Sequence, residues 1–438
     1  MKNLLAIIAD YYPHPSSNTN CFDPFLCGFE KDGWHIDVVT LKQWIELSSH
    51  ETEENGRDIW RIDDPRSMNT ILQNQLSNIP APRFLKICNK LFATISKGLF
   101  FLKYCLLKPD KRYAGWSKPT TIAKCIELNK TKQYNLVISV SHPATSHEIA
   151  KGFLESITDG KKPHWILYEF DPYCYNEHIY GKNCYKKLAS KQHILFDSAD
   201  HICLTPELYD FYQATPFKEY KAKMISVPFP NMKPIYFDVK NETLLPLKNG
   251  RINCIFGGAF AINVRNPQYA LDTFSCCSDS IRWNIITGFN LAPMLNKIKD
   301  NNSVISTYPS QSRDVAYDAM QKCDILVNIG NTVVFQAPGK IFEYMAMGKP
   351  IIHFQKIDND PCLKYLKNYP LVLIINEQEN NLSKHAQMIE TFCKENKGKA
   401  LTFEEVSKCI PQYISENVVN GFVKMANSLI SEDKYAKK

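Results

Sequence analysis

Short runs of Val, Ile and Leu recur along this 438-residue chain, and each run ends in turn-forming residues before a helix-length pattern. Strands that are buried on both faces of a parallel sheet, with crossover helices between them, produce this pattern. The runs of the first half lie at residues 4–9, 35–40, 135–141, 164–169 and 201–205. Those of the second half lie at residues 252–258, 283–288, 303–308, 324–330, 350–354 and 371–376. Two such series predict an α/β protein with two doubly wound, Rossmann-like domains.

A proline-rich stretch, VPFPNMKP at residues 227–234, marks the boundary between the two predicted domains. Three prolines in eight residues are typical of an interdomain linker. We therefore divide the chain into an N-terminal domain, a linker, a C-terminal domain and C-terminal helices, at residues 1–226, 227–248, 249–405 and 406–438.

The end of the chain carries two helix signals. Thr402 and Glu405 have the spacing of a capping box, and the periodic run from Tyr413 to Ile430 predicts a terminal helix. Pro411 separates the two helical pieces.

Composition and charge narrow the function classes. A net charge of +7 is only mildly basic for this length, which argues against a dedicated nucleic-acid binder. The fifteen cysteines are scattered without the spacing of a zinc site, so we expect small buried side chains in a reducing compartment. The start, MKNLLAIIAD, has no cleavage site, and no window reaches the ~18 apolar residues of a spanning helix. A cytoplasmic protein is expected.

The stretch APGKIFEYMAMGKP, residues 337–350, follows one of the predicted strands. Ligands of open parallel sheets bind beyond the carboxyl ends of the strands. Here Pro338 and Gly339 start a short helix that runs from Lys340 to Met347, and Gly348 ends it.

Glu343 is the one carboxylate of that stretch, and it lies in a mostly apolar helix. A carboxylate in such a place needs a partner. Lys340 at i−3, a backbone donor or the hydroxyls of a ligand could each supply it. The residues alone leave these alternatives open.

KIFEYMAMGKP closely resembles the signature of GT-B glycosyltransferases of the family 4 (group 1) type. The resemblance implies two Rossmann-like domains that face a cleft, and a donor nucleotide whose ribose hydroxyls are held by Glu343. GGAFAINVRNPQYAL is similar to the family's pyrophosphate loop, with Arg265 as its basic residue and with Gly257 and Gly258 allowing close backbone approach. Gly339 and Lys340 complete the implied donor-binding residues.

The chain departs from the family pattern at two places. The family's E-x7-E motif has its first acid eight residues before the second, where this chain has Phe335. Recognition of the sugar would then fall to backbone groups or to neighbours such as Gln336 and Lys340. The loop after the first strand, with PSSN at residues 15–18, also lacks the glycines that are usual in the family.

The resemblance further implies retention of anomeric configuration without a metal ion or a cofactor. A polar group of the N-terminal domain would then complete the catalytic site. Asp171, in ILYEFDPY, is the first candidate, and His142, after the strand NLVISVS, is the second. Both follow predicted strands, although an Asp before Pro also starts turns and a lone His is often structural.

Residues 83–112 form a basic stretch in which aromatic and aliphatic residues alternate with eight Lys or Arg and a single acid, Asp110. Such a segment can lie on an anionic membrane surface, where a lipid-linked acceptor would be presented. Equally, it can form helices that pack on the N-terminal domain with their lysine head groups in water.

We expect a hexosyltransferase that moves a sugar from a nucleotide-sugar to a saccharide or lipid-linked acceptor in bacterial capsule or surface-polysaccharide biosynthesis. It would be cytoplasmic, or peripheral on the inner face of the membrane, with no nucleic-acid partner. Two alternatives remain: a non-catalytic GT-B partner or regulatory protein, and a GT-B sugar-nucleotide epimerase.

Overall fold

The structure is a computed structural model that describes residues 2–13, 15–42, 46–63, 94–95, 116–236, 250–298 and 304–435. The chain forms two compact units. The first comprises Met1–Phe229 together with Val418–Lys438, and the second comprises Pro230–Asn417. The C-terminal segment that belongs to the first unit thus begins at Val418.

An eight-stranded sheet forms the centre of the first unit. Its strands, in chain order, are β1 Lys2–Ile7, β2 Trp34–Lys42, β3 His50–Thr52, β4 Asp58–Asp63, β5 Leu136–Val140, β6 His164–Glu169, β7 His201–Leu204 and β8 Met224–Ser226. Across the sheet they run in the order β3–β4–β2–β1–β5–β6–β7–β8. All neighbours are parallel except β3 and β4.

Helices connect these strands, and side-chain caps define where several of them begin. The described helices are α1 Ser17–Lys31, α2 Lys118–Lys132, α3 Thr145–Glu155, α4 Glu177–Tyr180, α5 Cys184–Ser198 and α6 Pro206–Gln213, followed by a 3-10 helix at Pro216–Lys223. Ser16 and Thr205 accept hydrogen bonds from the first turns of α1 and α6, which satisfies backbone donors that a helix start leaves unpaired.

A helix from the far end of the chain completes the core of the first unit. This helix, α14 Ser415–Tyr435, inserts Phe422 beside Phe25 of α1, with ring centroids 4.6 Å apart. Gly28 permits this approach, because a Cβ there would lie 2.3 Å from Val419 Cγ1. Residues that are distant in sequence therefore share one hydrophobic core.

The second unit contains a six-stranded, fully parallel sheet. Its strands are β9 Ile252–Gly257, β10 Ile281–Ile286, β11 Ile305–Tyr308, β12 Ile325–Ile329, β13 Ile351–Gln355 and β14 Val372–Asn376. They run in the order β11–β10–β9–β12–β13–β14, so the strand order reverses at β9 and β12. Ligands of doubly wound sheets bind beside such a reversal. We therefore expect the ligand site at the loops after these two strands.

The described helices of the second unit are α7 Gln268–Ser275, α8 Ala292–Leu295, α9 Arg313–Lys322, α10 Lys340–Ala346, α11 Leu363–Leu366, α12 Leu382–Asn396 and α13 Phe403–Cys409, with 3-10 turns at Glu377–Glu379 and Pro411–Tyr413. Gly348 follows α10 at φ +71°, and a Cβ there would lie 1.9 Å from Leu401 O. Only glycine fits this turn, as the predicted helix stop requires.

The structure confirms the predicted α/β fold with two sheets, and every predicted apolar run overlaps a strand. The prediction missed β3, β4 and β8. Strand β3 is exposed throughout, β8 has three residues, and the charged sequence DIWRID of β4 interrupts any apolar run.

The predicted helix ends need small corrections. The capping box of Thr402 and Glu405 is present at the start of α13. The terminal helix, however, begins at Ser415, because the tight turn at Pro411–Tyr413 holds Tyr413 outside it. Helix α10 ends at Ala346, one residue before the predicted Met347.

Two predicted segments lie wholly or mostly outside the described residues. The basic stretch 83–112 is described only at Thr94 and Ile95, and the linker is described only as far as residue 236. Among the helices that are described, none combines the length and apolar character needed to cross a bilayer.

Candidate functional site

The loops after β9 and β12 are joined to each other at the point where the strand order reverses. Gly257 ends β9, and its N–H donates to the Tyr344 hydroxyl of α10, 3.3 Å away. A Cβ on Gly258 would lie 2.8 Å from Lys340 Cε, so the stem of Lys340 crosses directly over this glycine. Helix α10 is thereby held against the end of β9.

Arg265 lies in the turn before α7 and connects the same two loops. Its Nε donates to Asn331 Oδ1 over 3.1 Å, and Asn331 Nδ2 donates to the Gln336 carbonyl over 2.8 Å. Burial lowers the pKa of Arg265. No carboxylate within the described part of the chain lies at ion-pair distance from its guanidinium. Asp360 acts on this cation only from beyond ion-pair distance. A buried guanidinium without a close ion-pair partner at the end of a parallel sheet favours an anionic ligand.

Glu343 faces outward from α10, whose other side chains are mostly buried. Its carboxylate forms two long ion pairs, 3.7 Å from Lys340 Nζ and 3.7 Å from Arg313 Nη2. The side chain is 24% exposed, and Oε2 is buried without a hydrogen-bond partner. The ion pair with Lys340 therefore exists, but it leaves this oxygen without a donor.

Arg313 and Tyr317 belong to the same cluster, and the sequence analysis did not identify them. Arg313 Nε donates to the Tyr317 hydroxyl over 2.8 Å, and its guanidinium lies 5.0 Å from the ring centroid. Burial raises the pKa of Tyr317 most, and the charge of Glu343 and a side-chain interaction with its carboxylate raise it further. The available signal was the i, i+4 spacing of these residues in a helix that follows the predicted strand 303–308.

The predicted donor-site residues of the second unit thus form one neighbourhood. The side chain of Lys340 crosses over Gly258, and its ammonium forms the ion pair with Glu343. Arg265 and Glu343 both act electrostatically on the buried Tyr344 hydroxyl, in opposite directions, while burial has the largest effect on its pKa. Gly339 is exposed as the N-cap residue of α10.

In the first unit, His142 and Asp171 follow the neighbouring strands β5 and β6, as predicted. The loops after these strands are joined by a hydrogen bond from Phe170 N–H to Ser141 Oγ, 3.2 Å long. His142 Nδ1 lies 2.9 Å from the Tyr180 hydroxyl. Asp171 is half-buried, and burial raises its pKa to about 6. Near neutral pH this carboxyl can therefore give or take a proton.

Glu169, the last residue of β6, is a second carboxyl that the sequence analysis passed over. It is 1% exposed and accepts hydrogen bonds from the Tyr212 hydroxyl (2.8 Å) and from Tyr173 N–H (3.0 Å). Gln192 donates to both of its oxygens. Burial raises its pKa to about 8. An acid at the end of the apolar run HWILYE was the available signal.

No protein-family model matches the chain, and no curated protein matches it in sequence. Its fold is similar to that of a sucrose-phosphate synthase from Thermosynechococcus elongatus, with 12% identity, a TM-score of 0.61, and 99% of this chain and 100% of that chain covered. It is also similar to an α,α-trehalose 6-phosphate synthase from Burkholderia multivorans, with 9% identity, a TM-score of 0.60, and 100% and 98% covered.

A third solved structure with a similar fold is described as a UDP-N-acetylglucosamine 2-epimerase from Listeria monocytogenes. It has 12% identity, a TM-score of 0.53, and coverage of 99% of this chain and 98% of that chain. Similarity at these identities establishes the fold. The predicted GT-B fold class is therefore confirmed.

Proposed function

We propose that this protein is a nucleotide-sugar-dependent glycosyltransferase that builds a bacterial surface polysaccharide such as a capsule. The observation that carries the proposal is the buried Oε2 of Glu343, which has no hydrogen bond of ordinary length, in the same neighbourhood as Arg265, which has no carboxylate at ion-pair distance. A nucleoside diphosphate supplies what both groups need, because its ribose hydroxyls donate hydrogen bonds and its pyrophosphate carries negative charge.

Glu343 accepts hydrogen bonds from the ribose hydroxyls in this proposal, and Arg265 pairs with the pyrophosphate. Charge builds on the pyrophosphate as the sugar departs, so a preorganised guanidinium stabilises the transition state more than the ground state. Lys340 adds a second positive charge beside Gly258. The backbone of Gly257, Gly258 and Gly339 completes the donor surface.

The sugar itself requires other contacts, because Phe335 cannot replace the first acid of the E-x7-E pattern. The exposed Gln336, whose carbonyl is held by Asn331, and Lys340 are the neighbouring polar groups. We assign them the contacts to the donor sugar.

Asp171 is the first catalytic candidate of the first unit, and His142 is the second. The pKa of Asp171, about 6, suits a group that exchanges a proton near neutral pH. We propose a retaining reaction that uses no metal ion and no cofactor. The acceptor is a saccharide or lipid-linked saccharide, and residues 83–112 bring the protein to the inner, anionic face of the cell membrane from the cytoplasm.

An epimerase acting on a sugar nucleotide is the second candidate, and the fold similarity to a protein described as such an epimerase supports it. Both candidates bind a nucleoside diphosphate at the same residues. Analysis of the products separates them, because an epimerase converts the donor sugar with no acceptor present, whereas a transferase does not.

Thermal unfolding with UDP, GDP, ADP, CDP or TDP tests the donor site directly. A ligand at 100 times its dissociation constant stabilises the folded protein by about 2.7 kcal/mol, which raises the melting temperature by several degrees. We expect one nucleotide to do so and Glu343→Ala to abolish the shift. Glu395→Ala, on the exposed surface of α12, is the matched control and should keep it.

Two results would count against the proposal. If none of the five nucleotides raises the melting temperature, the non-catalytic alternative is favoured. If a nucleotide stabilises Glu343→Ala as strongly as the unchanged protein, the nucleotide binds without this carboxylate, and its assigned role is wrong.

A further inference from the structure

Three side chains with metal-binding donor atoms meet on one face of the first sheet, at the amino ends of β2 and β4. His35 and Asp37 are two residues apart on β2, so their side chains point to the same face. Asp58, the first residue of β4, is the direct partner of Asp37 in the parallel register. This cluster lies at the opposite end of the strands from the loops that hold Asp171 and His142.

The two distances from His35 to the acids match those of a tetrahedral metal site. His35 Nε2 lies 3.4 Å from Asp37 Oδ2 and 3.3 Å from Asp58 Oδ2, and the three donor atoms lie within 4.8 Å of one another. A tetrahedral zinc ion with ligands at about 2.0–2.2 Å separates adjacent donors by about 3.3–3.6 Å.

The second oxygen of each carboxylate is held by another side chain. Trp60 Nε1 donates to Asp37 Oδ1 over 2.7 Å, and the Thr52 hydroxyl donates to Asp58 Oδ1 over 2.7 Å. Each Oδ2 is thereby turned towards His35. Metal sites in proteins show this arrangement, in which outer hydrogen bonds orient the ligating carboxylates.

The buried carboxylate of Asp37 is the strongest indication of a cation. Its side chain is fully buried, and Oδ2 has no hydrogen bond of ordinary length. A buried carboxylate oxygen without a donor is costly, and a cation among the three donor atoms would remove that cost. The buried Tyr134 hydroxyl also interacts with this carboxylate, but it forms no hydrogen bond of ordinary length with it.

Lys132, at the end of α2, brings an ammonium to the same position. Its Nζ lies 2.7 Å from His35 Nε2 and 3.3 Å from Asp58 Oδ2. Because an ammonium can only donate, Nε2 accepts, and its lone pair faces the Lys132 ammonium beside Asp58. An imidazole lone pair directed at a cation is also the state in which histidine binds a metal.

The described part of the chain contains a second group of metal-binding residue types, in which the histidine has no lone pair directed at a cation. His353 lies with Asp360 and Cys362 in the second unit, and all three are buried. Its Nδ1 lies 2.8 Å from Asn328 Nδ2, and its Nε2 lies 3.1 Å from Asp360 Oδ2. Both ring nitrogens therefore already have protein partners.

We propose that His35, Asp37 and Asp58 bind a divalent cation of the zinc class, and that the Lys132 ammonium occupies the site when no metal is bound. One imidazole and two carboxylates suit Zn²⁺ better than the all-oxygen sites of Mg²⁺ and Ca²⁺. The fourth position, on the side of Lys132, takes water. The metal ties β2 to β4 at the end of the sheet away from the candidate catalytic residues, so its role is structural.

No sequence pattern predicts this metal site. His35-x-Asp37 is too common a spacing to indicate zinc, and the third ligand comes from a strand that the apolar pattern does not predict. The sequence analysis assigned no metal-binding residues anywhere in the chain, and this proposal departs from that expectation.

Titration of the full-length, EDTA-treated protein with ZnCl2, followed by calorimetry and by thermal unfolding, tests the proposal. We expect one ion per chain and a higher melting temperature. CoCl2 at the same site should give the visible absorption bands of tetrahedral Co²⁺. His35→Ala and Asp37→Asn should each weaken binding by at least about tenfold, and circular dichroism checks that both variants are folded.

Lys132→Met separates a metal site from a purely structural cluster. Without its competing ammonium, Zn²⁺ should bind more tightly, whereas removing an ion-pair partner from a structural cluster would only lower stability. His178→Ala, on the exposed part of α4, is the control and should bind Zn²⁺ as the unchanged protein does.

The proposal is overturned if the unchanged protein fails to bind Zn²⁺ in calorimetry. It is equally overturned if folded His35→Ala and Asp37→Asn bind with unchanged affinity, because the ion would then lie elsewhere. Unchanged or weaker binding by Lys132→Met contradicts the place assigned to the ammonium.

Discussion

Glu169 in the first unit and Glu343 in the second are both acidic side chains that lie after or at the C-terminal end of a parallel strand. Their surroundings differ. Glu169 is almost fully buried and accepts hydrogen bonds from Tyr212, Gln192 and the backbone. Glu343 is more exposed, yet one of its oxygens is buried without a donor. The more buried acid is therefore the better satisfied one.

The difference shows that burial alone does not identify a ligand site. When the protein supplies every partner of a buried acid, removing that acid damages the fold. When the protein supplies no hydrogen-bond donor to one oxygen of the acid, removing the acid weakens ligand binding instead. Substitutions at the two sites should separate these two kinds of carboxyl.

The largest expected effect is on stability, at Glu169. Glu169→Ala leaves the Tyr212 hydroxyl and the Gln192 amide without their acceptor and opens a cavity. We expect the free energy of unfolding to fall by about 4 kcal/mol. Urea denaturation measures it, with Glu343→Ala as the control that should unfold within about 0.5 kcal/mol of the unchanged protein. Similar losses in both variants would remove the distinction.

Stability should also depend on pH through Glu169. Its folded pKa of about 8 exceeds the ordinary value of 4.5, so between these limits the folded protein holds a proton that the unfolded chain has released. The contribution of this group is fully present below pH 4.5 and is lost as pH rises towards 8, on the order of 5 kcal/mol in all. Glu169→Gln should remove this slope from denaturation curves recorded at several pH values, and a slope that persists would contradict the assignment.

Arg265 should affect binding without affecting stability in the same way. Arg265→Met removes a charge that has no acid partner, so we expect nucleoside diphosphate affinity to fall by about 1.5–3 kcal/mol while the melting temperature of the unliganded protein changes little. Calorimetry with the nucleotide identified by thermal unfolding measures the loss. Nucleotide affinity equal to that of the unchanged protein would place the pyrophosphate elsewhere.

Arg313 should have the smallest effect. Its ion pair with Glu343 is 3.7 Å long, and its side chain is 66% exposed, so solvent screens most of the attraction. For Arg313→Ala we expect the same nucleotide affinity to change by less than about 1 kcal/mol. A larger loss would show that Arg313 contacts the nucleotide itself.

The sequence predicted the parts of the molecule that depend on local patterns. The apolar runs located the buried strands, and the spacing of Thr402 and Glu405 located a helix start. Glu343 stood out because it interrupts an apolar helix. These features are visible because strand burial and helix capping involve residues that are close in sequence.

The sequence could not reveal which side chains satisfy one another. The cluster around Glu343 includes Arg313 from another helix, and Glu169 depends on Gln192 and Tyr212 from two more. The acids of β2 and β4 meet through strand pairing. Contacts of this kind arise only after the sheet order is established, and no periodic pattern encodes them.

Helix α14 has a consequence for how the protein is made. Residues 1–229 emerge from the ribosome long before Phe422 is synthesised. Phe422 fills the core beside Phe25 and Tyr168. During translation these aromatic side chains stay without their final neighbour while the whole second unit is synthesised. The first unit to emerge is therefore the last to be completed, and its uncovered aromatic surface favours aggregation until then.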